Sequence, residues 1–370
     1  MARIAVVFGT RPEAIKMAPV INQLKANTQW ETKVIVTGQH REMLDQMLQV
    51  FHIVPDYDLN IMRPGQSLAD ITIAVLRGMD QFFCQWRPDL LLVHGDPTSA
   101  LAAALAGFYQ QIPVGHVEAG LRTGNLGHPF PEEANRKLID GIAALLFAPT
   151  QWAADNLRAE GIDPRRIFVT GNTVIDALQM MIEEDYQFAT PQLQQLTFTR
   201  PVILVTAHRR ENWGAPYERI CMAISAAAST LPCDFVFALH KNPNLQAVVK
   251  KHLSGHQNVY LVDALDYKEF INLLNRCSFI VTDSGGLQEE AAALAKPVLV
   301  LREHTERPEG VAKGILRLIG TDQQRILNEI TALITNPVVY QQMAKAENPY
   351  GDGRAAERIS KIIADYFQRV

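Results

Sequence analysis

The strongest constraint on the fold of this chain is a rhythm. Short apolar runs recur, and an amphipathic stretch follows each one. RIAVVF at 3–8 precedes PEAIKMAPVINQLKA, and KVIVTG at 33–38 precedes HREMLDQMLQVF. LLLVHG at 90–95 precedes PTSALAAALAGFYQ, and PVGHVEAG at 113–120 leads through a loop to PEEANRKLIDGIA. LLFAPT at 145–150 precedes QWAADNLRAEG, and RIFVTG follows. The runs are near-continuous Val, Ile and Leu, the pattern of strands buried on both faces. Strand–helix alternation of this kind predicts a parallel sheet covered by helices on both sides.

A second series opens after the polar, Gln-rich stretch EEDYQFATPQLQQLTFTRP. PVILVTAH is followed by YERICMAISAAAS, and DFVFAL, NVYLV, SFIVTD and PVLVL then alternate with helical stretches. The expected fold class is α/β, with two Rossmann-like domains facing across a cleft. A first domain over 1–170 would carry acid/base carboxylates, and a second over 171–351 would bind a nucleotide. The last stretch, GRAAERISKIIADYFQRV, reads as an amphipathic helix that returns to the first domain over 352–370. A chain of 370 residues suits two domains, and 48% hydrophobic with 20% charged residues suits sizeable cores.

Net charge is -4, so there is no strong field for duplex nucleic acid or an acidic membrane, and neither partner is expected. Cys84, Cys221, Cys233 and Cys277 show no CxxC pairing and no zinc spacing, and read as small buried hydrophobes in a reducing compartment. The first apolar run is too short for a signal sequence, and no stretch is long enough to span a bilayer. A soluble cytoplasmic protein is the expectation.

In open parallel sheets ligands sit outside the C-terminal strand ends, and the polar oddities of this sequence fall there. In FGTRPEAIKMAP, Gly9 permits a tight turn and Pro12 suits a helix start. Arg11, Lys16 and the helix N-terminus together suit an anion, unless Lys16 is simply paired with Glu13 or a nearby acid. No GxGxxG follows this strand, and no GxxxxGK[ST] is present. Asp96 ends an apolar strand, although Asp-Pro is also an ordinary helix cap. Glu118, in GHVEAGLRTG, is a lone acid at a small, apolar strand end. Its pKa should rise toward an acid/base range unless Arg122 pairs it. Glu132 and Glu133 open a helix, where for one of them dipole complementation suffices. Three clustered carboxylates suit proton abstraction and return.

The second half contributes TAHRREN, with His208, Arg209 and Arg210 directly after a strand, and VTDSGGLQEEA, where Ser284, Gly285 and Gly286 open a helix. Glycines let backbone approach a phosphate closely. Glu290 is placed to accept from vicinal hydroxyls, and Arg307, in TERPEG, follows the next strand.

FGTRPEAIKMAP, TGQHREML, HGDPTS, GHVEAGLRTG, PEEANR, GNTVIDAL, HRREN, TDSGGLQEEA and TERPEG, taken in order, resemble the bacterial non-hydrolysing UDP-N-acetylglucosamine 2-epimerases over essentially the whole chain. The resemblance implies a GT-B-like architecture, commonly a homodimer. It also implies reversible conversion of UDP-GlcNAc to UDP-ManNAc with no nicotinamide cofactor and no metal. By motif, Arg11, Lys16, His208, Arg210, Ser284, Gly285, Gly286, Glu290 and Arg307 would hold UDP, with Phe270 beside the uracil. Asp96, Glu118 and Glu132 would be the acid/base carboxylates, with His208 counted in the catalytic set. In some members a second UDP-GlcNAc activates, and Gln39, His40 and His240 match positions associated with that site. Pro97 and Ala207 stand where related sequences vary. A GT-B glycosyltransferase, a hydrolysing epimerase and a non-catalytic nucleotide-sugar sensor are the rival readings. The first needs one base and an acceptor groove, the second releases free sugar, and the third needs no carboxylate set.

Overall fold

Each apolar run becomes a strand in the computed structural model, which describes residues 1–369. The first half of the chain runs β1 (Ala2–Phe8), α1 (Arg11–Ala26), β2 (Trp30–Val36), α2 (Glu42–Val50), β3 (Tyr57–Asp58) and α3 (Leu68–Gln85). It continues β4 (Leu90–His94), α4 (Thr98–Tyr109), β5 (Val114–Val117), α5 (Glu132–Ile142), β6 (Leu145–Ala148), α6 (Gln151–Ala159), β7 (Ile167–Val169) and α7 (Thr173–Met181). Then come α8 (Pro191–Gln194), β8 (Val202–Thr206), α9 (Ala215–Thr230), β9 (Asp234–Ala238), α10 (Pro243–Leu253), β10 (Val259–Val262) and α11 (Tyr267–Arg276). The chain closes with β11 (Phe279–Thr282), α12 (Gly285–Ala293), β12 (Val298–Val300), α13 (Pro308–Lys313), β13 (Leu316–Leu318), α14 (Gln323–Thr335), α15 (Pro337–Ala344) and α16 (Ala355–Phe367).

These elements form two units. One is Met1–Gln179 together with the C-terminal stretch from Tyr350, and the other is Met180–Pro349. The first unit holds a seven-stranded parallel sheet, ordered β3-β2-β1-β4-β5-β6-β7. Its central strands β1 and β4 are almost wholly buried, as their unbroken apolar sequences require. Strand order reverses between β1 and β4, and that crevice is the place where such sheets bind ligands. α16 packs on α1, and Trp30 meets Phe367 edge to face at 6.3 Å. Asp176 receives the N–H groups of Ala355 at 3.2 Å and Ala356 at 2.9 Å, which supplies acceptors for amides that a helix start leaves unpaired.

The second unit holds a six-stranded parallel sheet, ordered β10-β9-β8-β11-β12-β13, and its order reverses between β8 and β11. Thr206 and Thr282 face each other in register at that switch, and their hydroxyls are 2.6 Å apart. Two α/β units with parallel sheets are therefore present, as the alternation predicts. One detail differs: Cys221, Cys233 and Cys277 are buried, but Cys84 lies on the outer face of α3 and is exposed. Burial pushes the three inner thiols up to about 12, so they stay protonated. Among the described residues no helix is long and apolar enough to cross a membrane.

Candidate active site

In the first unit the register of β4 and β5 sets His94 beside Val117, so the residues just after each strand, Gly95-Asp96 and Glu118, emerge side by side. Glu118 turns sharply there, with φ at 68°. A non-glycine residue in this left-handed region costs on the order of 1–3 kcal/mol, and such positions gather at functional sites. The turn is held by Phe147, whose carbonyl accepts from both Glu118 N and Ala119 N at 3.1 Å.

The Glu118 carboxylate is almost buried and forms an ion pair with Lys16, which reaches it from α1. Asn172 donates to the same carboxylate from Nδ2 at 3.1 Å. His94 Nε2 stands 3.5 Å away, too far for a hydrogen bond. Burial pushes the His94 imidazole down to about 3 despite the pull of Glu118, so it is a neutral ring. Lys16 is thus paired with an acid, as one reading of its loop allowed, but the acid is Glu118 and not Glu13. Arg122 does not pair with Glu118. It binds Asp140 at 2.7 Å and Glu160 at 2.7 Å, because α5 and α6 bring those carboxylates under its loop.

Asp96 keeps about a third of its side-chain surface exposed and pairs with Arg136 of α5 at 2.8 Å. Desolvation raises its pKa against the opposing charge of Arg136, and the negative charges of Glu118 and Glu132 add to the rise. The three acids therefore share one electrostatic neighbourhood. Glu132 is half-buried at the first position of α5. Its neighbour Glu133 is fully buried and accepts from Thr123 N and Gly124 N at 3.0 Å each. Of the two glutamates, Glu133 ties down the preceding loop, not the helix dipole alone.

The turn before α1 differs from its sequence reading. Gly9 N and Thr10 N donate at 3.0 and 2.8 Å to Glu13 Oε2, so two amides of the turn are taken by the chain's own carboxyl. Burial pushes the Glu13 carboxyl up to about 7, although those amides favour the charged form. Arg11, half-exposed at the first position of α1, remains as the cation of this turn. Beneath the site, His116 has an acceptor at each ring nitrogen: Asp140 Oδ1 at 2.6 Å from Nδ1, and the Gly95 carbonyl at 2.7 Å from Nε2. The imidazole thereby pins the residue that precedes Asp96.

In the second unit the switch between β8 and β11 carries His208, with its half-exposed side chain, and Asp283, fully buried. Arg210 is exposed, and Phe270 is half-buried on α11. Ser284 caps α12, and Gly285 and Gly286 form its first turn. Gly285 has no room for a side chain, since a Cβ there would stand 2.5 Å from Glu306 Oε1, whereas Gly286 faces open space. Glu306 is ringed by cations: Arg302 Nη1 at 2.7 Å, Arg209 Nη2 at 3.6 Å and Arg307 Nη1 at 3.7 Å. Burial opposes its ionisation, but Arg307 and Arg302 prevail and hold it at about 2. Arg307 Nε also binds Glu289 Oε1 at 2.5 Å, while the Tyr267 hydroxyl donates to Glu290 Oε1 at 3.3 Å.

Gln39 accepts from Ser99 N at 3.2 Å, and His40 lies beside it in the first unit. His240 belongs to the second unit, where its ring stacks on that of His208, centroids 6.3 Å apart and planes within 8°. Two residues that the sequence assigns to different sites are thus neighbours. Among the described residues no group of three or more His, Cys, Asp or Glu side chains is arranged to hold a metal ion. Asn172, His94, Arg136, Asp283 and Glu306 were not singled out in the sequence. All five sit inside quoted motifs, and Asp283 and Glu306 stand directly beside residues that were.

The chain is similar to known proteins over nearly its whole length. The family model described as UDP-N-acetylglucosamine 2-epimerase matches residues 22–364. The UDP-N-acetylglucosamine 2-epimerase of Escherichia coli K12 is 50% identical over 369 residues, spanning 98% of each chain. The chain is also similar to the Neisseria meningitidis UDP-GlcNAc 2-epimerase solved with UDP-GlcNAc bound: 47% identity, TM-score 0.88, 98% of this chain and 100% of that one. A third similarity is to S. aureus MnaA solved with UDP, at 45% identity and TM-score 0.88, covering 100% of this chain and 98% of that one.

Proposed function

Because this chain belongs to the UDP-N-acetylglucosamine 2-epimerase family, we propose that it interconverts UDP-GlcNAc and UDP-ManNAc without hydrolysing either, by eliminating UDP and adding it back. The observation that carries the reading is the buried Lys16–Glu118 pair beside Asp96, at the switch point of the first sheet.

The hydrogen at C2 of the sugar has no neighbouring carbonyl and is not acidic. Direct abstraction near neutral pH is therefore too slow. If the C1–O bond breaks as the proton leaves, its electron pair departs with UDP and C1 gains positive character. The C2–H pair then becomes the C1=C2 bond of 2-acetamidoglucal, and a carboxylate holds the proton. Asp96, Glu118 and Glu132 are the candidates, and for Asp96 burial, with the charges of Glu118 and Glu132 added, raises the affinity for a proton. Arg11, with the Ser284–Gly286 turn, Arg210 and Arg307 of the second unit, stabilises the departing diphosphate. One such contact is worth on the order of 3 kcal/mol, or about a hundredfold in rate. Delivery of a proton to the opposite face of C2 and attack of the UDP oxygen on C1 complete the exchange. The enzyme would work as a homodimer in the cytoplasm and feed UDP-ManNAc to surface-polysaccharide synthesis.

The test is a time course of UDP-GlcNAc with the pure protein in D2O, followed by NMR. The expected product is UDP-ManNAc carrying deuterium at C2. Protium retained at C2 removes the elimination mechanism, and free ManNAc with UDP makes the enzyme a hydrolase.

A further inference from the structure

The crevice between β8 and β11 holds a fully buried carboxylate that no step above uses. Asp283 follows β11 directly, and its two oxygens are divided between tasks. Oδ2 accepts from His208 N at 3.0 Å, Arg209 N at 2.9 Å and Asn212 Nδ2 at 2.9 Å. These bonds fasten the turn after β8 to the end of β11. Oδ1 has only a longer contact with His208 N, at 3.2 Å, and stands at the same distance from His208 Nδ1. A carboxylate is an acceptor only, so a ring nitrogen facing it is served best by carrying the proton.

We propose that Asp283 is a positioning residue: it holds His208 in the Nδ1–H tautomer and so presents Nε2 as a hydrogen-bond acceptor to a hydroxyl or amide N–H of the nucleotide sugar. This rests on the reading above that His208 meets the ligand. It assigns His208 a different task from the arginines. They face the diphosphate as cations, whereas a neutral imidazole with a bare Nε2 recognises a donor. The groups facing the ring agree. Burial lowers its pKa, Arg209 and His240 lower it further, and only Asp283 opposes them, so the ring is neutral near pH 7. His240 lies nearly parallel to the ring, centroids 6.3 Å apart. Nε2 lies on the edge away from Nδ1 and has no hydrogen-bond partner among the described residues.

The test is a long-range 1H–15N spectrum of the full-length protein labelled with [15N]histidine at pH 7.5, which reads tautomers without reference to turnover. In the wild-type protein His208 Nδ1 is expected to resonate as a protonated, pyrrole-type nitrogen and Nε2 as a pyridine-type nitrogen. In D283N the amide can still accept from the backbone through Oδ1, but its NH2 faces the ring, and the pattern is expected to reverse. Asn212→Ala loosens the same turn without touching the ring and should leave the tautomer as it is. D283N should also lower kcat/KM at least tenfold. A wild-type His208 protonated at Nε2 overturns the proposal even if D283N does not fold. A tautomer indifferent to D283N, or reversed equally by Asn212→Ala, overturns it as well. If the tautomers behave as expected but UDP-GlcNAc leaves the Nε2 resonance unmoved, it is the ligand role of His208 that fails.

Discussion

Arg136 binds Asp96 through Nη2 at 2.8 Å and lies 3.6 Å from Glu133 through Nη1, so one guanidinium from α5 serves both a strand-end carboxylate and the loop anchor. It is the main charge opposing the upward shift of Asp96. Replacing it with methionine keeps much of the packing and removes that opposition, so the Asp96 carboxyl moves further up. Whichever limb of the kcat/KM pH profile Asp96 governs should shift to higher pH in Arg136→Met. A profile with both limbs unmoved would take Asp96 out of the titrating set.

Glu118→Gln preserves shape and the Asn172 contact but cannot take a proton. Turnover is expected to fall by about a hundredfold or more, measured by NMR on UDP-GlcNAc. UDP affinity, measured by calorimetry, should stay within about twofold, because an interaction made only in the transition state leaves ground-state binding alone. If UDP binding is lost as well, Glu118 is a brace for the site.

Glu13 gives a pH signature in stability. Its folded pKa is raised, from 4.5 to about 7, so the folded state holds its proton over a range where the unfolded chain releases it. The contribution is fully present below about pH 4.5 and is lost as pH rises through about 7, on the order of 3 kcal/mol. Glu13→Gln should flatten the dependence of unfolding free energy on pH across that window. Denaturant melts at pH 5 and pH 7.5 make the comparison, and an equal drop in both proteins would assign the effect elsewhere.

Gly285 and Gly286 are adjacent but respond differently to one added methyl. At Gly286 the space is open, so Gly286→Ala should leave stability unchanged or slightly raised, by up to about 1 kcal/mol for a helical position. If a diphosphate nests against this turn, the same methyl raises the Kd for UDP at least tenfold. Gly285→Ala forces Glu306 off its arginines, and a lower melting temperature is expected there. Unchanged UDP binding in Gly286→Ala would move the phosphate site away from α12.

Much of this architecture is written in local pattern. The central strands are continuous apolar runs and were readable as such, and the amphipathic period of 353–370 announced α16. The elements that escaped are those whose signal is short. β3 has two residues and β13 has three, LRL, which no periodicity resolves. α3 carries a plain signature, Ser67 capping Asp70 N at 3.1 Å. It follows a strand too short to announce it. In the site, the positions of Asp96 and Glu118 followed from strand ends. Their partners did not, since Lys16 is 102 residues from Glu118 and Arg136 arrives on a different helix. The closure of the α1 turn by Glu13 also escaped, because a first-turn acid looks the same whether it faces solvent or its own backbone amides.

The return of α16 to α1 has a bearing on how the chain is made. The second unit is continuous in sequence, whereas the first is built from two stretches separated by the whole of the second. The helix that covers α1 is therefore made only after the second unit, and until then the N-terminal portion of the first unit stays open at that face. A break in the chain after the second unit would damage the half that was translated first.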